Sequence, residues 1–177
     1  MTTLRTPRLT LRRWREDDLG PMADIHADPE VMRWIADGSV LDREETAAAV
    51  ARWEREWEER GVGLFAVEVR ETGRLAGFAG LSVPEYLPEI LPAVEIGWRL
   101  GRAHWGQGLA TEAARAVLDF ALRDRGLGRV VSVHQVGNDS SAKIMRKLGM
   151  RQDRVATDPV HGVARCVHVI EVVGSRP

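Results

Sequence analysis

The sequence predicts a single domain of mixed α/β (α+β) class that extends over residues 1–177. Apolar residues alternate with polar ones in several short segments, as in half-buried strands, and recur three or four residues apart in longer ones, as in amphipathic helices. A glycine-rich segment, GRAHWGQGLATEAA, joins an apolar strand to one of these helices. A chain of 177 residues with 44 % hydrophobic content can bury one substantial core, so no second domain is needed.

The first third of the chain predicts one strand followed by helices. Leu9, Leu11 and, at its far end, Trp14 alternate with polar residues as in a strand. Asp42, with Glu45 three residues later, has the pattern of a capping box at a helix start. Helical segments are therefore expected at about 17–26, 29–35 and 42–60, the last of them ended by Gly61.

The remaining chain predicts alternating strands and helices. Strands are expected at about 62–70, 74–82, 93–100, 129–136, 151–157 and 164–173. Helices are expected at about 109–125 and 138–148. The residues between 84 and 92 include three prolines, which predicts a surface loop or sheet edge.

Composition excludes several classes of partner. The chain has 25 basic and 26 acidic residues, so it has no net field to attract nucleic acid or an anionic membrane surface. Nearly all of the basic residues are Arg, and the two lysines, at 143 and 147, suggest only a biased base composition. The first residues, MTTLRTPRLTLRRW, resemble neither a signal peptide nor a membrane span, so a cytoplasmic protein is expected. The expected oligomeric state is a monomer or a homodimer.

Cysteine and histidine usage predicts no metal site. The single cysteine, Cys166, excludes an internal disulfide and any multi-cysteine metal site, and its apolar neighbours are typical of a small buried residue. Four histidines are scattered along the chain without ligand spacing, namely His26, His104, His161 and His168.

The glycine-rich segment predicts an anion site. Gly106 and Gly108 let the backbone turn and leave its N–H groups uncovered, and the helix that follows directs a partial positive charge to the same place. A pyrophosphate fits such a site.

Three segments together carry a family resemblance. They are Thr6-Pro7-Arg8-Leu9-Thr10-Leu11-Arg12, Trp105-Gly106-Gln107-Gly108-Leu109-Ala110-Thr111-Glu112-Ala113, and Asn138-Asp139-Ser140-Ser141-Ala142-Lys143 with the later Leu148-Gly149-Met150. In these the chain resembles the GNAT N-acetyltransferase superfamily, and most nearly its RimJ/RimL-like branch. The resemblance implies a central twisted mixed sheet of about seven strands flanked by helices and splayed between the fourth and fifth strands. It also implies acetyl-CoA as cosubstrate.

The resemblance further implies where the cofactor binds. The pyrophosphate would contact the backbone of Gly106, Gln107, Gly108, Leu109, Ala110 and Thr111. The pantetheine arm would pair with the strand residues Trp98, Arg99 and Leu100, and Asn138 would contact the same arm. Asn138 equally suits a helix N-cap, and Trp105, at the start of the motif, is interpreted as a packing residue under the turn.

The catalytic groups are less well defined by sequence. Many superfamily members supply a proton from a Tyr, and the matching position here is Met145. Ser141 is then a candidate acid, although it could equally cap the helix. Glu95, a carboxylate in an apolar strand, is the candidate base, acting through a water, with an outward-facing or ion-paired residue as the alternative. His134 and Trp34 are candidate groups of the acceptor groove.

These observations predict direct acetyl transfer from acetyl-CoA to a primary amine. The acceptor would be the α-amine of a protein, possibly ribosomal, or a small-molecule amine. Because Met145 replaces the usual acid, a non-catalytic acyl-CoA-binding module is the alternative.

Overall fold

A computed structural model describes residues 2–172 and contains one sheet with helices on both faces. The strands are β1 (Leu4–Arg5), β2 (Leu9–Arg12), β3 (Leu64–Val69), β4 (Leu75–Ser82), β5 (Glu95–Leu100), β6 (Arg129–Gln135), β7 (Arg151–Asp158) and β8 (Val163–Glu171). The α-helices are α1 (Leu19–His26), α2 (Pro29–Met32), α3 (Arg43–Arg60), α4 (Leu109–Asp119) and α5 (Asp139–Lys147). Single 3₁₀ turns occur at Glu16–Asp18, Pro88–Ile90 and Arg102–His104.

The eight strands lie in the order β1-β2-β3-β4-β5-β6-β8-β7. The mixed α/β class is thereby confirmed, and the count exceeds the expected seven because residues 4 and 5 add a two-residue edge strand. All neighbouring strands are antiparallel except β5 and β6, which are parallel and pair at Glu95 and Val131 only. These two are the fourth and fifth strands of the sequence prediction, so the expected splay is present.

Several element boundaries differ from the prediction. The helix expected over 29–35 ends at Met32. The first strand ends at Arg12, and Trp14 lies beyond it, where its indole N–H donates to the Leu64 carbonyl at 2.9 Å. The helix expected over 109–125 stops being α-helical at Asp119 and continues as one π-helical turn over Phe120–Asp124. Apolar periodicity extends through both parts, so it did not distinguish them.

The long helix α3 begins and ends as predicted. Asp42 Oδ1 accepts the Glu45 N–H at 2.8 Å, and Glu45 Oε2 accepts the Asp42 N–H at 2.8 Å, which completes the capping box. Gly61 follows the last turn at a φ of +66°, a left-handed conformation that favours glycine. The helix is thus fixed at both ends by local contacts.

The core has parts on both sheet faces. The larger cluster packs α4 and α5 on the sheet and includes Phe65, Ile96, Val117 and Met145. On the other face, Trp53 and Phe78 pack beneath α1 and α3, and a third cluster lies under the loop 84–92. No helix among residues 2–172 is both long and apolar enough to cross a membrane.

Candidate active site

The splay between β5 and β6 leaves the β6-facing edge of β5 without a strand partner beyond Glu95 among residues 2–172. The Val94 carbonyl accepts the Val131 N–H at 2.9 Å, and the Ile96 carbonyl accepts the Ser132 hydroxyl at 2.9 Å. Because alternate residues of a strand direct their backbone groups to the same side, Trp98 directs its N–H and C=O into the gap. No β6 residue pairs with β5 after Glu95–Val131 among the described residues. An open strand edge therefore faces the cleft.

The glycine-rich turn follows directly from this open edge. Gly106 and Gly108 have φ values of +72° and +76°, in the left-handed region that side chains disfavour. A Cβ at Gly106 would meet no atom within 4 Å, so the space above the turn is open. Since α4 begins immediately after Gly108, its first N–H groups lie at this turn. The turn therefore presents backbone N–H groups to open space, and the anion site stays a prediction.

Trp105 is not the buried packing residue that the sequence suggested. Its side chain is 47 % exposed, and its indole N–H donates to the Leu100 carbonyl at 2.8 Å. This bond fixes the turn against the end of β5.

A polar contact from the N-terminal segment braces the turn, and sequence reasoning gave it no role. Arg8 Nη1 donates to the Gln107 carbonyl at 2.8 Å, and Arg8 Nε donates to Glu112 Oε2 at 2.7 Å. The Thr6 hydroxyl and the Arg8 N–H both donate to Glu112 Oε1, at 2.6 and 2.9 Å. Partial burial alone would raise the pKa of Glu112, but these hydrogen bonds to Thr6 and Arg8 hold that pKa below its usual value. The first α4 turn is thus tied to the start of the chain.

A cavity of about 570 Å³ lies along the open edge and the turn. Of the residues predicted from sequence, it is lined by Trp34, Trp98, Arg99, Leu100, Gly106, Gly108, Leu109, Ala110, Thr111, Asn138 and Ser141. Gln107, Glu95 and His134 are not among its lining residues. The only two lysines of the sequence, Lys143 and Lys147, both line the cavity. A biased base composition explains why lysines are few, but not why both lie at this cavity.

The start of α5 contributes Asn138 and Ser141 to the cavity. Asn138 Oδ1 accepts the Ser141 N–H at 3.3 Å, so the N-cap role considered for Asn138 is present. The Ser141 side chain is half-buried at the cavity wall. Met145, one turn further, is 1 % exposed and belongs to the core, so this position offers no proton donor to the cleft.

Arg99 lines the cavity, but its guanidinium also turns toward α1. Its Nη1 lies 2.8 Å from His26 Nε2, and the group stacks on Phe78 at 5.0 Å from the ring centroid. Burial, with the nearby Arg99 charge, lowers the pKa of His26 to about 3, so the imidazole is neutral and accepts from Arg99. Burial likewise lowers the pKa of Arg99 to about 10. This contact joins β5 to α1.

Glu95 is buried beneath the loop 84–92 rather than exposed to the cavity. It is 9 % exposed, and the Tyr86 hydroxyl lies 3.0 and 3.1 Å from its two carboxylate oxygens. Burial raises the pKa of Glu95 to about 7, although the Tyr86 hydrogen bond and the charge of Arg165 act in the opposite direction. Burial and the Glu95 charge also raise the pKa of Tyr86, so its hydroxyl stays protonated. Glu95 is neither outward-facing nor ion-paired among the described residues, and its partner Tyr86 was not predicted.

His134 lies on β6 next to two residues of β8. Its Nε2 is 3.3 Å from His168 Nε2, and Cys166 Sγ is 3.7 Å from the same His168 atom. The structure therefore brings His168 into a cluster with two other potential ligands, which linear spacing did not indicate.

Comparisons with known proteins agree with this architecture. A family model described as an acetyltransferase (GNAT) domain matches residues 8–151. The uncharacterized protein YkkB of Bacillus subtilis (strain 168) is 32 % identical over 154 residues, 86 % of this chain and 87 % of that protein. An acetyltransferase structure from Agrobacterium tumefaciens str. C58 is 28 % identical, with a TM-score of 0.83 over 97 % of this chain and 95 % of that one.

The fold is also shared with more distant enzymes. The ribosomal-protein-S5-alanine acetyltransferase from Vibrio fischeri has a TM-score of 0.78 over 100 % of both chains, at 15 % identity. The match over residues 8–151 includes Arg8 with its partners Gln107 and Glu112, the glycine-rich turn and all of α5. The chain therefore belongs to the GNAT family and is an acetyltransferase.

Proposed function

We propose that the protein transfers an acetyl group directly from acetyl-CoA to a primary amine. The observation that carries this proposal is the continuous path from the open edge of β5 to the glycine-rich turn along one cavity. A strand edge suits the amides of a pantetheine arm, and a helix N-terminus suits a pyrophosphate.

In this proposal the backbone of the cleft binds the cofactor. Trp98 offers to the pantetheine arm an N–H and a C=O that pair with no other strand within residues 2–172, and residues 106–111 offer N–H groups to the pyrophosphate. Lys143 and Lys147 add positive charge at the cavity wall, where phosphates are favoured. Asn138 holds the start of α5 in place with one side-chain oxygen and can contact the arm with its amide nitrogen.

Glu95 is proposed as the general base. A carboxyl group with a pKa of about 7 can take a proton near neutral pH and return it to solvent. Because Glu95 does not line the cavity, it would reach the acceptor amine through a water. The amine nitrogen then attacks the acetyl carbonyl and the carbon–sulfur bond breaks. Ser141 is the candidate donor of a proton to the leaving thiolate, and its hydroxyl would regain that proton from solvent water in the cleft.

The acceptor is proposed to be an α-amine or a small-molecule amine, bound near Trp34. An α-amine with a pKa of about 7.8 is roughly one-third neutral at pH 7.5, whereas a lysine near 10.4 is about 0.1 % neutral. A single carboxylate base is sufficient for the first. The fold shared with a ribosomal-protein acetyltransferase and the RimJ/RimL-like motifs support a protein N-terminus as one candidate.

An assay of CoA thiol release tests the proposal with three acceptor sets. These are peptides with a free α-amine, the same peptides N-acetylated but containing lysine, and small molecules whose amine has a pKa close to that of an α-amine, about 7.8. We expect thiol release with α-amine or small-amine acceptors and little with the blocked peptides. Tight acetyl-CoA binding without thiol release for any acceptor would contradict the proposal and favour an acyl-CoA-binding module.

A further inference from the structure

Three side chains with metal-binding atoms meet on one face of the sheet, outside the cleft. His134 and Cys166 are directly opposite each other in the β6–β8 ladder, and His168 is two residues beyond Cys166, on the same face. Their ligand atoms, His134 Nε2, Cys166 Sγ and His168 Nε2, all lie within 4.8 Å of one another. We propose that His134, Cys166 and His168 form a binding site for a soft divalent transition metal such as Zn²⁺.

Two of the three separations within this trio match tetrahedral coordination. Zinc bonds of about 2.0 Å to nitrogen and 2.3 Å to sulfur imply nitrogen–nitrogen separations of about 3.3 Å and nitrogen–sulfur separations of about 3.5 Å. The observed separations are 3.3 Å between the two histidine nitrogens and 3.7 Å between Cys166 Sγ and His168 Nε2. The third pair, His134 Nε2 and Cys166 Sγ, lies within 4.8 Å, so a bound metal would draw these two opposed side chains together.

The hydrogen bonding around the rings also favours a metal. His134 Nδ1 lies 2.8 Å from the Gln135 carbonyl, so it carries the proton and leaves the Nε2 lone pair free, as metal-bound histidines usually do.

The donor set selects the kind of metal. Two imidazoles and one thiolate favour zinc, cobalt or copper over magnesium and calcium, which prefer oxygen. Binding would displace the thiol proton of Cys166 to solvent and form a metal–sulfur bond. His168 and Cys166 are buried, whereas His134 is partly exposed, so a water completes the fourth position from the solvent side.

Cobalt titration of the metal-stripped protein tests this inference. We expect one Co²⁺ per chain, a thiolate-to-cobalt absorption band, and competition by Zn²⁺. The band should disappear in Cys166→Ser, and cobalt affinity should fall tenfold or more in His134→Gln. His161→Gln, which alters a histidine outside the trio, should bind cobalt as the unmodified protein does.

A thermal-shift measurement with Zn²⁺ provides a second readout that does not depend on acetyl transfer. Zinc should raise the Tm of the unmodified protein and of His161→Gln, but not that of His134→Gln. If Cys166→Ser does not fold, the partly exposed His134 position decides the result. Absence of a thiolate band at excess cobalt, or equal affinity in His134→Gln, would show that the trio is only hydrogen-bonded.

Discussion

Glu95 is buried beneath the loop 84–92 and accepts a hydrogen bond from the Tyr86 hydroxyl. Burial favours the neutral form of the carboxyl group and outweighs the opposing effects of the Tyr86 and Val133 hydrogen bonds and of the Arg165 charge, which is why the pKa of Glu95 rises to about 7. The same burial affects both the proposed chemistry and the stability of the fold. Two predictions at the scale of single residues follow from it.

The pH dependence of turnover tests the proposed base. Wild-type kcat/KM should rise with an apparent pKa near 7, the pKa of Glu95, whereas in Glu95→Gln only the rise set by the acceptor α-amine, with its pKa of about 7.8, should remain. Tyr86→Phe removes a hydrogen bond that favours the Glu95 carboxylate, so the pKa of Glu95 should rise in this variant. The increase of kcat/KM that follows Glu95 ionisation should therefore occur at higher pH. Rates should be measured with a single α-amine acceptor from about pH 6 to 9, the range of these ionisations. Identical pH profiles of kcat/KM for wild type and Glu95→Gln would show that another group acts as the base.

The stability of Glu95→Gln relative to wild type should depend on pH. Folding raises the pKa of Glu95 from 4.5 to about 7, so the unfolded chain ionises first and wild-type stability falls as pH increases between those values. A shift of that size corresponds to about 3 kcal/mol. In urea unfolding, the free energy of unfolding of Glu95→Gln relative to that of wild type should be higher at pH 8 than at pH 5. Glu89→Gln, at an exposed position of the same loop, should show no such change.

Ser141 has a neighbouring residue that serves as its control. If Ser141 protonates the leaving thiolate, Ser141→Ala should lower kcat about a hundredfold and leave the acetyl-CoA Kd nearly unchanged. Ser140→Ala, which also changes a serine at the cavity wall, should retain normal turnover. A lower Tm with normal kcat in Ser141→Ala would instead assign the residue to the helix N-terminus.

At the scale of elements, local sequence predicted the structures that local contacts determine. The capping box at Asp42, the helix end at Gly61 and the two turn glycines each depend on residues within a few positions of one another. The Tyr86–Glu95 bond and the Arg8–Glu112 brace join separate elements, so no local pattern indicates them. The change from α4 to a π turn was missed for a different reason, because both parts share the same apolar spacing.

The glycine-rich turn allows a test that separates backbone strain from ligand contact. Gly106 and Gly73 have similar φ values, +72° and +66°, and a Cβ at either position would meet nothing within 4 Å. Alanine at either position should therefore cost a similar 1–2 kcal/mol of stability, roughly the penalty for a left-handed residue. Gly106→Ala alone should raise the acetyl-CoA Kd, by tenfold or more in calorimetry. Equal Kd values for the two variants would contradict the proposal that the pyrophosphate binds at this turn.

At the scale of the whole molecule, the sheet has two parts. Strands β1 to β5 form one antiparallel part and β6 to β8 form the other, and the two parts pair at a single position, Glu95 with Val131. The order of elements along the sequence, taken with the family resemblance, was sufficient to predict this splay. It could not predict the two-residue strand β1, since Leu4 and Arg5 are too short a segment to show a period. The assembly of His134, Cys166 and His168 likewise depends on β6–β8 register.

The gap beside β5 makes amide hydrogen exchange a direct measure of where the cofactor lies. The Trp98 N–H points into the gap and has no strand partner in the part of the chain that the structure describes, whereas the Arg99 N–H points to β4 and is protected by the sheet. A pantetheine arm seated along this edge would act as a missing strand and slow exchange at Trp98 while leaving Arg99 almost unchanged. Two adjacent residues would thus report opposite edges of one strand in a single experiment. Equal protection of both amides on adding acetyl-CoA would indicate general stiffening of the domain rather than strand-like pairing.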